Sequence, residues 1–279
     1  MVEEETSPIF IMICLAILII ALVAIILVKS ISLIEHLYSY FYKKPLYTHF
    51  YVRLKKLSPQ HQKFLKQKFV FYTRLSPKQQ SFFQHRLITF IAHKSFEGRD
   101  DFEITEEVKL YIGATAVMLT FGMRNFLLNR LQKIIIYPDV YFSTINKVQH
   151  KGEFNPHLRA LVFSWKDFLV GFDTHKDNVN LAIHEFMHVI QINTHNHKNI
   201  SAVIFSDANK ELENLLKQDD LRNKLINSRY FREYAFTNRV EFLAVLVESF
   251  IESPQVFKQN FPEFYKKIKE MLNYHFAGY

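Results

Sequence analysis

Two histidines and a glutamate lie close together in the stretch NLAIHEFMHVIQIN, residues 180–193. His184 and His188 are four residues apart, so on an α-helix their imidazoles share one face and can bind the same cation. Glu185 lies at the edge of that face, where it can accept a proton from a water on the cation. This HExxH pattern predicts a zinc site with one ion per chain, three protein ligands and one open position.

A solvent-exposed helix with two unrelated histidines is the alternative interpretation. The residues that surround the motif are mostly apolar: Leu181, Ala182, Phe186, Met187, Val189 and Ile190. Because they cover most of the helix circumference, we expect the helix to be buried. Two histidines and a glutamate are costly to bury without a partner, and a metal ion supplies that partner.

The third ligand lies outside the motif. A metzincin would have glycine at 191 and histidine at 194, but Gln191 and Thr194 occupy these positions. His195 and His197 belong to the polar stretch NTHNHKN, which is typical of an exposed loop. Cys14 is the single cysteine, which excludes a thiolate cluster and an internal disulfide. Five downstream glutamates remain as candidates: Glu211, Glu213, Glu233, Glu241 and Glu248.

Glu241 and Glu248 are seven residues apart in the apolar segment VEFLAVLVESF and share one face of a predicted helix. A carboxylate in such a segment needs a reason to be buried, and a metal is one. Alternatively, Glu241 forms a capping box with Asn238 or lies in a solvated first turn, and Glu248 faces solvent. The spacing alone leaves both glutamates open as the ligand.

The elements that must position these residues are mostly helices. The near-repeats LSPQHQKFLKQKF and LSPKQQSFFQHRL predict helices at about 58–71 and 76–94, each with serine as N-cap and proline in the first turn. The segment EITEEVKLYIGATAVMLTFG, residues 103–122, predicts a deeply buried helix with Thr105 as its N-cap and Gly122 as its stop. Two more helices are expected at 241–253 and around 262–275.

Three segments rich in β-branched and aromatic residues predict strands, at 133–138, 140–144 and 158–165. The helix that carries the histidines then begins near Asn178 or Asn180. Glycine is scarce, with 6 residues, and neither GxGxxG nor GxxxxGK[ST] occurs, so a phosphate-binding loop is not expected. The lysine-bearing helix pair admits a DNA-binding interpretation, but paired amphipathic helices are mostly packing units, and we expect no nucleic acid partner.

Residues 9–28, IFIMICLAILIIALVAIILV, form an unbroken apolar run of the roughly 20 residues that a helix needs to cross a bilayer. The preceding MVEEET is acidic and no small-residue cleavage site follows, which disfavours a cleaved signal peptide. A buried core helix is the other interpretation, but such a helix normally keeps a polar stripe. The run therefore predicts a membrane anchor.

The distribution of charge predicts the orientation of this span. No lysine or arginine precedes it. Several follow it: Lys29, Lys43, Lys44, Arg53, Lys55 and Lys56. The positive-inside rule predicts a single-pass protein of the cell membrane, with the N-terminus outside and the C-terminal domain in the cytoplasm. The net charge is +8, and the membrane-proximal basic residues either contact anionic lipid headgroups or form a solvated face.

Five segments together resemble the Mlc titration factor A family of zinc-dependent peptidases: FIAHKSFEG, EITEEVKLYIGATAVMLTFG, IIIYPDVYF, HEFMH and REYAFTNRVEFLAVLVESF. They occur in family order over about residues 55–265, and the last also resembles the catalytic domain of anthrax lethal factor, a distant relative. The resemblance implies an α+β, mostly helical, zincin-like fold of the gluzincin type with a small sheet. We expect an anchor over 1–30, a basic and aromatic juxtamembrane helix or linker over 31–56, and the zinc metallopeptidase domain over 57–279.

The resemblance also implies a role for each site residue. His184 and His188 match the helix ligands, and Glu185 matches the catalytic base. Glu241, in NRVEFLAV, matches the glutamate ligand. Tyr234, in REYA, matches the tyrosine that stabilises the oxyanion.

Glu248 matches an acid that orients a ligating histidine. The chain departs from the family pattern in two ways. Gln191 replaces an aspartate that the family often has, so a contact near the second histidine differs. The family is usually soluble, and the predicted anchor would confine this chain and its substrates to a membrane face.

Two functions follow as hypotheses. The first is a membrane-anchored zinc peptidase that hydrolyses peptide or protein substrates with Glu185 as general base. The second is a non-enzymatic binder that sequesters a cytoplasmic regulatory protein at the membrane, as the family name suggests. Binding alone does not need a general base, so Glu185 together with Glu241 and Tyr234 favours the enzyme. Cleavage from an end, by an aminopeptidase, and internal cleavage both stay open.

Overall fold

The computed structural model describes residues 8–142, 147–173, 178–195 and 199–279. The chain divides into two compact units between Leu46 and Tyr47. The first unit is dominated by one long helix. The second contains the remaining helices and all the described strands.

Helix α1 runs from Pro8 to Tyr42, well beyond the apolar run that predicted the span. At about 1.5 Å per residue it is roughly 50 Å long, against roughly 30 Å for the hydrocarbon core of a bilayer. Its most apolar window has a mean hydropathy of 3.6 and is not buried in the protein. Among the described residues, α1 is the helix whose length and composition suit a membrane crossing.

The two near-repeats each begin a helix at a serine N-cap. The Ser58 hydroxyl accepts a hydrogen bond from His61 N, and Ser76 forms a full capping box with Gln79. The first predicted helix is divided in two, because the backbone of Phe69 is extended, with φ −123° and ψ 94°. The resulting helices are α2 (Pro59–Lys68), α3 (Val70–Thr73) and α4 (Pro77–Ala92).

Helix α5 (Glu106–Leu119) is the buried helix that the sequence predicts; it begins directly after Thr105, the predicted N-cap, and ends three residues before Gly122, the predicted stop. Thr105 caps its N-terminus by accepting from Val108 N, which fixes its first turn. Residues on all sides of α5 are buried, so it forms the centre of the core and packs against α4.

A four-stranded mixed sheet lies beside these helices. Its strand order is β1-β2-β6-β5; the first three are parallel and β5 is antiparallel to β6. Strands β3 and β4 form a separate antiparallel pair. The strands are β1 (Ser95–Gly98), β2 (Lys133–Tyr137), β3 (Tyr141–Phe142), β4 (Gln149–His150), β5 (Gly152–Asn155) and β6 (Ala160–Ser164).

Sequence patterns predicted β2, β3 and β6 but not β1, β4 or β5. The missed segments SFEG, QH and GEFN are short, and none contains a β-branched residue, so they carry little strand signal. The predicted segment 140–144 is a strand only at Tyr141–Phe142, and its end lies outside the described residues.

The C-terminal half is helical and encloses the histidine helix, α7. Helix α7 packs against α5, β5 and α10, while α12 packs against α8. A short 3-10 turn, Glu233–Phe236, packs against α10. The helices are α6 (Trp165–Asp173), α7 (Leu181–Thr194), α8 (Ile200–Leu215), α9 (Asp219–Asn227), α10 (Arg239–Glu252), α11 (Pro254–Asn260) and α12 (Pro262–Leu272). The protein is thus mostly helical with a small mixed sheet, as the sequence predicts.

Candidate metal centre

Helix α7 presents the two motif histidines on the side that faces α10. Asn180 caps α7, because its side-chain oxygen accepts a hydrogen bond from Ile183 N at 3.1 Å. His184 and Glu185 are only 5% and 7% exposed, so the motif lies inside the protein rather than on a surface helix. The expectation of a buried motif helix is confirmed by this packing.

Helix α10 places Glu241 opposite α7. Its N-cap residue Asn238 accepts hydrogen bonds from Val240 N and Glu241 N. The Glu241 carboxylate points to the histidines instead of completing a capping box, and its Oε2 lies 2.8 Å from His184 Nε2. A residue in the first turn of a helix also lies where the helix dipole stabilises a negative charge.

Three side chains from two helices each direct one potential metal-binding atom to the same place. Glu241 Oε2 lies 2.8 Å from His184 Nε2 and 3.5 Å from His188 Nε2. One ligand atom from each of these three residues lies within 4.8 Å of the others. Two imidazole nitrogens and one carboxylate oxygen are the donors that zinc prefers, with a fourth position open. The side chains present therefore fit a metal ion.

Glu248 lies on the other side of the His184 ring and is completely buried. Its Oε1 is 2.7 Å from His184 Nδ1, and its Oε2 accepts a hydrogen bond from Asn180 N at 2.8 Å. With the Nδ1 proton donated to Glu248, a metal that replaced the Nε2 proton would meet a lone pair directed toward Glu241 and His188. The two candidate glutamates thus occupy opposite sides of one imidazole.

The electrostatics of this cluster favour a bound cation. Burial acts to lower the pKa of His184, but hydrogen bonds with Glu241 and Glu248 outweigh it and raise that pKa to about 9. Burial acts to raise the pKa of Glu241, but hydrogen bonds from both histidines hold it well below its usual value. A positive charge between these groups is strongly favoured, and a divalent metal can replace the proton that otherwise supplies it.

Glu185 and Tyr234 lie beside the converging donors. Burial raises the pKa of Glu185, although the two neighbouring histidines oppose that rise. The Tyr234 ring centroid is 5.8 Å from that of His184, and burial together with Glu241 raises the pKa of Tyr234 to about 12. Tyr234 is 47% exposed and so lies at the edge of the site, and its raised pKa keeps the hydroxyl group protonated.

The other candidate residues lie elsewhere. Glu211 pairs with Lys267, and Glu213 pairs with Arg239 at 2.8 Å. His195 is exposed at the end of α7. Two of the early candidates are not part of the described cluster: Glu233 lies in the 3-10 turn, and His197 lies outside the described residues.

The amide of Gln191, three residues after His188, contacts the neighbouring helix. Its Nε2 donates to Val240 O at 3.3 Å, next to Glu241 in the chain. This contact links α7 to the first turn of α10.

Arg232 was not singled out from the sequence, yet its guanidinium contacts both Glu248 and His184. The signal that could have indicated it was its position two residues before Tyr234.

Strand β5 packs directly against Glu185. A Cβ atom at Gly152 would lie 2.8 Å from Glu185 Cγ and 2.8 Å from Leu181 Cδ1. Both are closer than real side chains approach, so only glycine lets β5 lie this near α7. The Glu185 carboxylate is therefore held between its helix and the sheet.

Gly152→Ala is expected to displace the Glu185 side chain while leaving the three converging donors in place. Because a misplacement of about 1 Å can cost on the order of 10²-fold in rate, we expect a fall of that size in kcat with normal metal content. Peptide hydrolysis and metal analysis of the full chain would check this. Lys151→Ala is the matched control, since the Lys151 side chain is 65% exposed. Wild-type kcat in Gly152→Ala would contradict the packing argument.

Comparison with known proteins places these observations in a family. The sequence profile of the glucose-regulated metallopeptidase M90 family matches residues 43–273. A protein of Synechocystis sp., itself described as uncharacterized, is 28% identical to the chain over 236 residues. That alignment covers 77% of this chain and 83% of the relative. The family profile thus includes the whole candidate site.

Proposed function

The chain belongs to the glucose-regulated metallopeptidase M90 family, that of Mlc titration factor A, and from this premise we propose that it hydrolyses peptide bonds with one zinc ion held by His184, His188 and Glu241. The convergence of two imidazoles and a carboxylate from α7 and α10 is the observation that carries the proposal. A zinc ion bound there would supply a Lewis acid and a water of lowered pKa.

Glu185 is the general base in this proposal. It follows His184 directly in the helix, so its carboxylate lies next to the donors without being one of them. Contact with Gly152 holds it in place. It accepts the proton of the attacking water and can then deliver that proton to the leaving amine.

Tyr234 stabilises the oxyanion that forms on the scissile carbonyl. Its hydroxyl has a raised pKa and keeps its proton at neutral pH, so it can donate a hydrogen bond there. The position of Tyr234 beside the His184 ring, with half of its surface exposed, allows contact with a bound peptide.

Strand β5 offers a place for the peptide itself. It ends the described sheet on the side of α7, next to Glu185. An extended peptide can add to such a strand through main-chain hydrogen bonds. The substrate in this proposal is therefore a peptide or an extended segment of a protein.

Helix α1 anchors the enzyme in the proposal, with the catalytic unit on the cytoplasmic side. Its apolar length suits one crossing, and the basic residues follow the apolar run. Sequestration of a regulatory protein without hydrolysis is a weaker alternative, since it gives no reason for Glu185 beside the cluster.

A reporter enzyme that works only in the cytoplasm is expected to be active when it is fused after Tyr279, because the lysines and arginines follow the span. The checks are reporter activity and protease treatment of intact cells. The same reporter fused to the N-terminus should give the opposite result. Digestion of the catalytic unit by protease added outside intact cells would refute the proposed orientation.

Metal analysis of the purified full chain, combined with hydrolysis of an internally quenched peptide and of an amino-acid p-nitroanilide, tests the function. We expect about one zinc per chain, as for a single three-ligand site. Hydrolysis of the p-nitroanilide indicates an aminopeptidase, and hydrolysis of the quenched peptide alone indicates an endopeptidase. A zinc-free protein without hydrolysis of either would reject the proposal.

A further inference from the structure

Arg232 makes a two-point contact with the buried carboxylate behind the metal centre. Its Nη2 donates to Glu248 Oε1 at 2.7 Å, and its Nη1 donates to Glu248 Oε2 at 3.1 Å. The planar guanidinium thus matches both carboxylate oxygens, which is the strong and directional form of this ion pair. The Arg232 side chain is 28% exposed, whereas that of Glu248 is wholly buried.

Glu248 needs this partner. A buried carboxylate is very costly without a positive charge and hydrogen bonds. Its hydrogen-bond donors are Arg232, Asn180 N and His184 Nδ1. An imidazole that binds a metal through Nε2 is neutral, so Arg232 supplies the full positive charge among these contacts.

The orientation of Glu248 decides which nitrogen of His184 is free. Arg232 Nη2 also lies 3.2 Å from His184 Nδ1. If Arg232 donated to Nδ1, the ring proton would be on Nε2, and that nitrogen could not bind a metal. Because Arg232 holds Glu248 with Oε1 2.7 Å from Nδ1, the ring donates from Nδ1 and keeps the Nε2 lone pair for the metal.

The same arginine begins the turn that carries Tyr234. Arg232 is the N-cap residue of the 3-10 turn, and Ala235 N donates to its carbonyl at 2.9 Å. The N-cap makes no side-chain hydrogen bond to the turn. The guanidinium carbon lies 5.7 Å from the Tyr234 ring centroid. The contact between Arg232 and the buried Glu248 therefore fixes the position of Tyr234.

We propose that Arg232 is a positioning residue for both parts of the site: through Glu248 it orients His184, and through the 3-10 turn it places Tyr234. The proposal rests on the proposed function, since it gives His184 and Tyr234 the roles assigned there. It predicts that zinc affinity and the rate of the zinc-saturated enzyme depend on one side chain by two separable routes.

Arg232→Met in the full chain tests both routes. We expect zinc affinity, measured by competition with a chelator, to fall by roughly 10–100-fold, as for loss of a group that orients a ligand. At saturating zinc we expect kcat for the peptide that the wild type cleaves to fall by on the order of 10²-fold, since Tyr234 is misplaced. Arg239→Met is the matched control, because Arg239 forms an exposed pair with Glu213 and should change neither quantity.

Double mutants separate positioning from a general loss of stability. In a Glu248→Gln background, Arg232→Met should no longer lower zinc affinity appreciably. In a Tyr234→Phe background, it should no longer lower kcat at saturating zinc. Two residues that act through one contact give such non-additive effects, whereas a purely structural change gives the same loss in every background.

Arg232→Lys keeps the charge without the two-point contact, and it carries the test if Arg232→Met fails to fold. We expect Arg232→Lys to recover the zinc affinity only in part, because the charge stays beside Glu248 while the two-point contact is lost, and to recover little of the kcat. Additive effects in both double mutants, or values for Arg232→Met equal to those of Arg239→Met, would overturn the proposal while leaving the peptidase function intact. A wild type without zinc or hydrolysis would overturn both.

Discussion

Glu185→Gln is expected to lower kcat by at least the roughly 10²–10⁴-fold that a general base contributes, while the zinc content stays at the wild-type value. Glutamine has nearly the same shape as glutamate but cannot accept the proton of the attacking water. The three donors that converge on the metal position do not include Glu185, so the metal should remain. Zinc analysis and peptide hydrolysis on the same preparation provide both readouts.

Glu263→Gln is the matched control for this experiment. Glu263 is exposed in the first turn of α12 and should tolerate the same change with no effect on either readout. Hydrolysis by Glu185→Gln at a rate close to that of the wild type would assign the proton transfer to another group. Loss of zinc from Glu185→Gln would instead show that Glu185 is part of the metal site.

Glu241→Gln is expected to weaken zinc binding far more than Glu248→Gln. Glu241 contributes one of the three converging donors, whereas Glu248 contacts the far nitrogen of His184. Loss of a residue that only orients a ligand typically costs roughly 10–100-fold in metal affinity, and loss of a ligand should exceed that range. Competition with a chelator on the two full-length variants gives the comparison.

Tyr234→Phe belongs in the same series, because it removes a hydroxyl that interacts with Glu241 but is not one of the three converging ligand atoms. It should lower zinc affinity less than Glu248→Gln does, while kcat falls because the oxyanion loses a hydrogen bond. If Glu248→Gln lost more zinc than Glu241→Gln, the assignment of the two glutamates would have to be reversed.

The sequence predicted the two histidines of the cluster because the information that pairs them is local. On a helix, the four-residue spacing places His184 and His188 on the same face. The apolar neighbours of the motif predicted its burial. Glu241 and Glu248 could not be separated by spacing, since seven residues return to the same helix face. Their difference comes from α10 crossing α7, which places one at Nε2 and the other at Nδ1 of a single imidazole.

Other features depend on tertiary contacts that leave little trace in the chain. Strands β1 and β5 contain few residues of high strand propensity, and their pairing with β2 and β6 decides their conformation. Nothing in the sequence around Gly152 indicates that its backbone lies against Glu185 in the fold. Arg232 and Glu248 are 16 positions apart in the sequence and meet only when the 3-10 turn packs on α10.

Some helix boundaries were predicted from local sequence signals, and others were not. Caps were predicted at Ser58, Ser76 and Thr105, because each hydroxyl satisfies a nearby backbone donor. The break at Phe69 was not, since no glycine or proline marks it. The length of α1 beyond Val28 was also missed as a definite helix, because a mixed basic and aromatic segment is compatible with either a helix or a linker.

The most direct test of the account is the position of the metal in crystals of the zinc-loaded full chain, read from an anomalous-difference map at the zinc absorption edge. We predict one strong peak about 2.0–2.2 Å from His184 Nε2, His188 Nε2 and a Glu241 oxygen, with Glu248 hydrogen-bonded to His184 Nδ1. A peak bound by Glu248, or one located away from α7 and α10, would contradict the account.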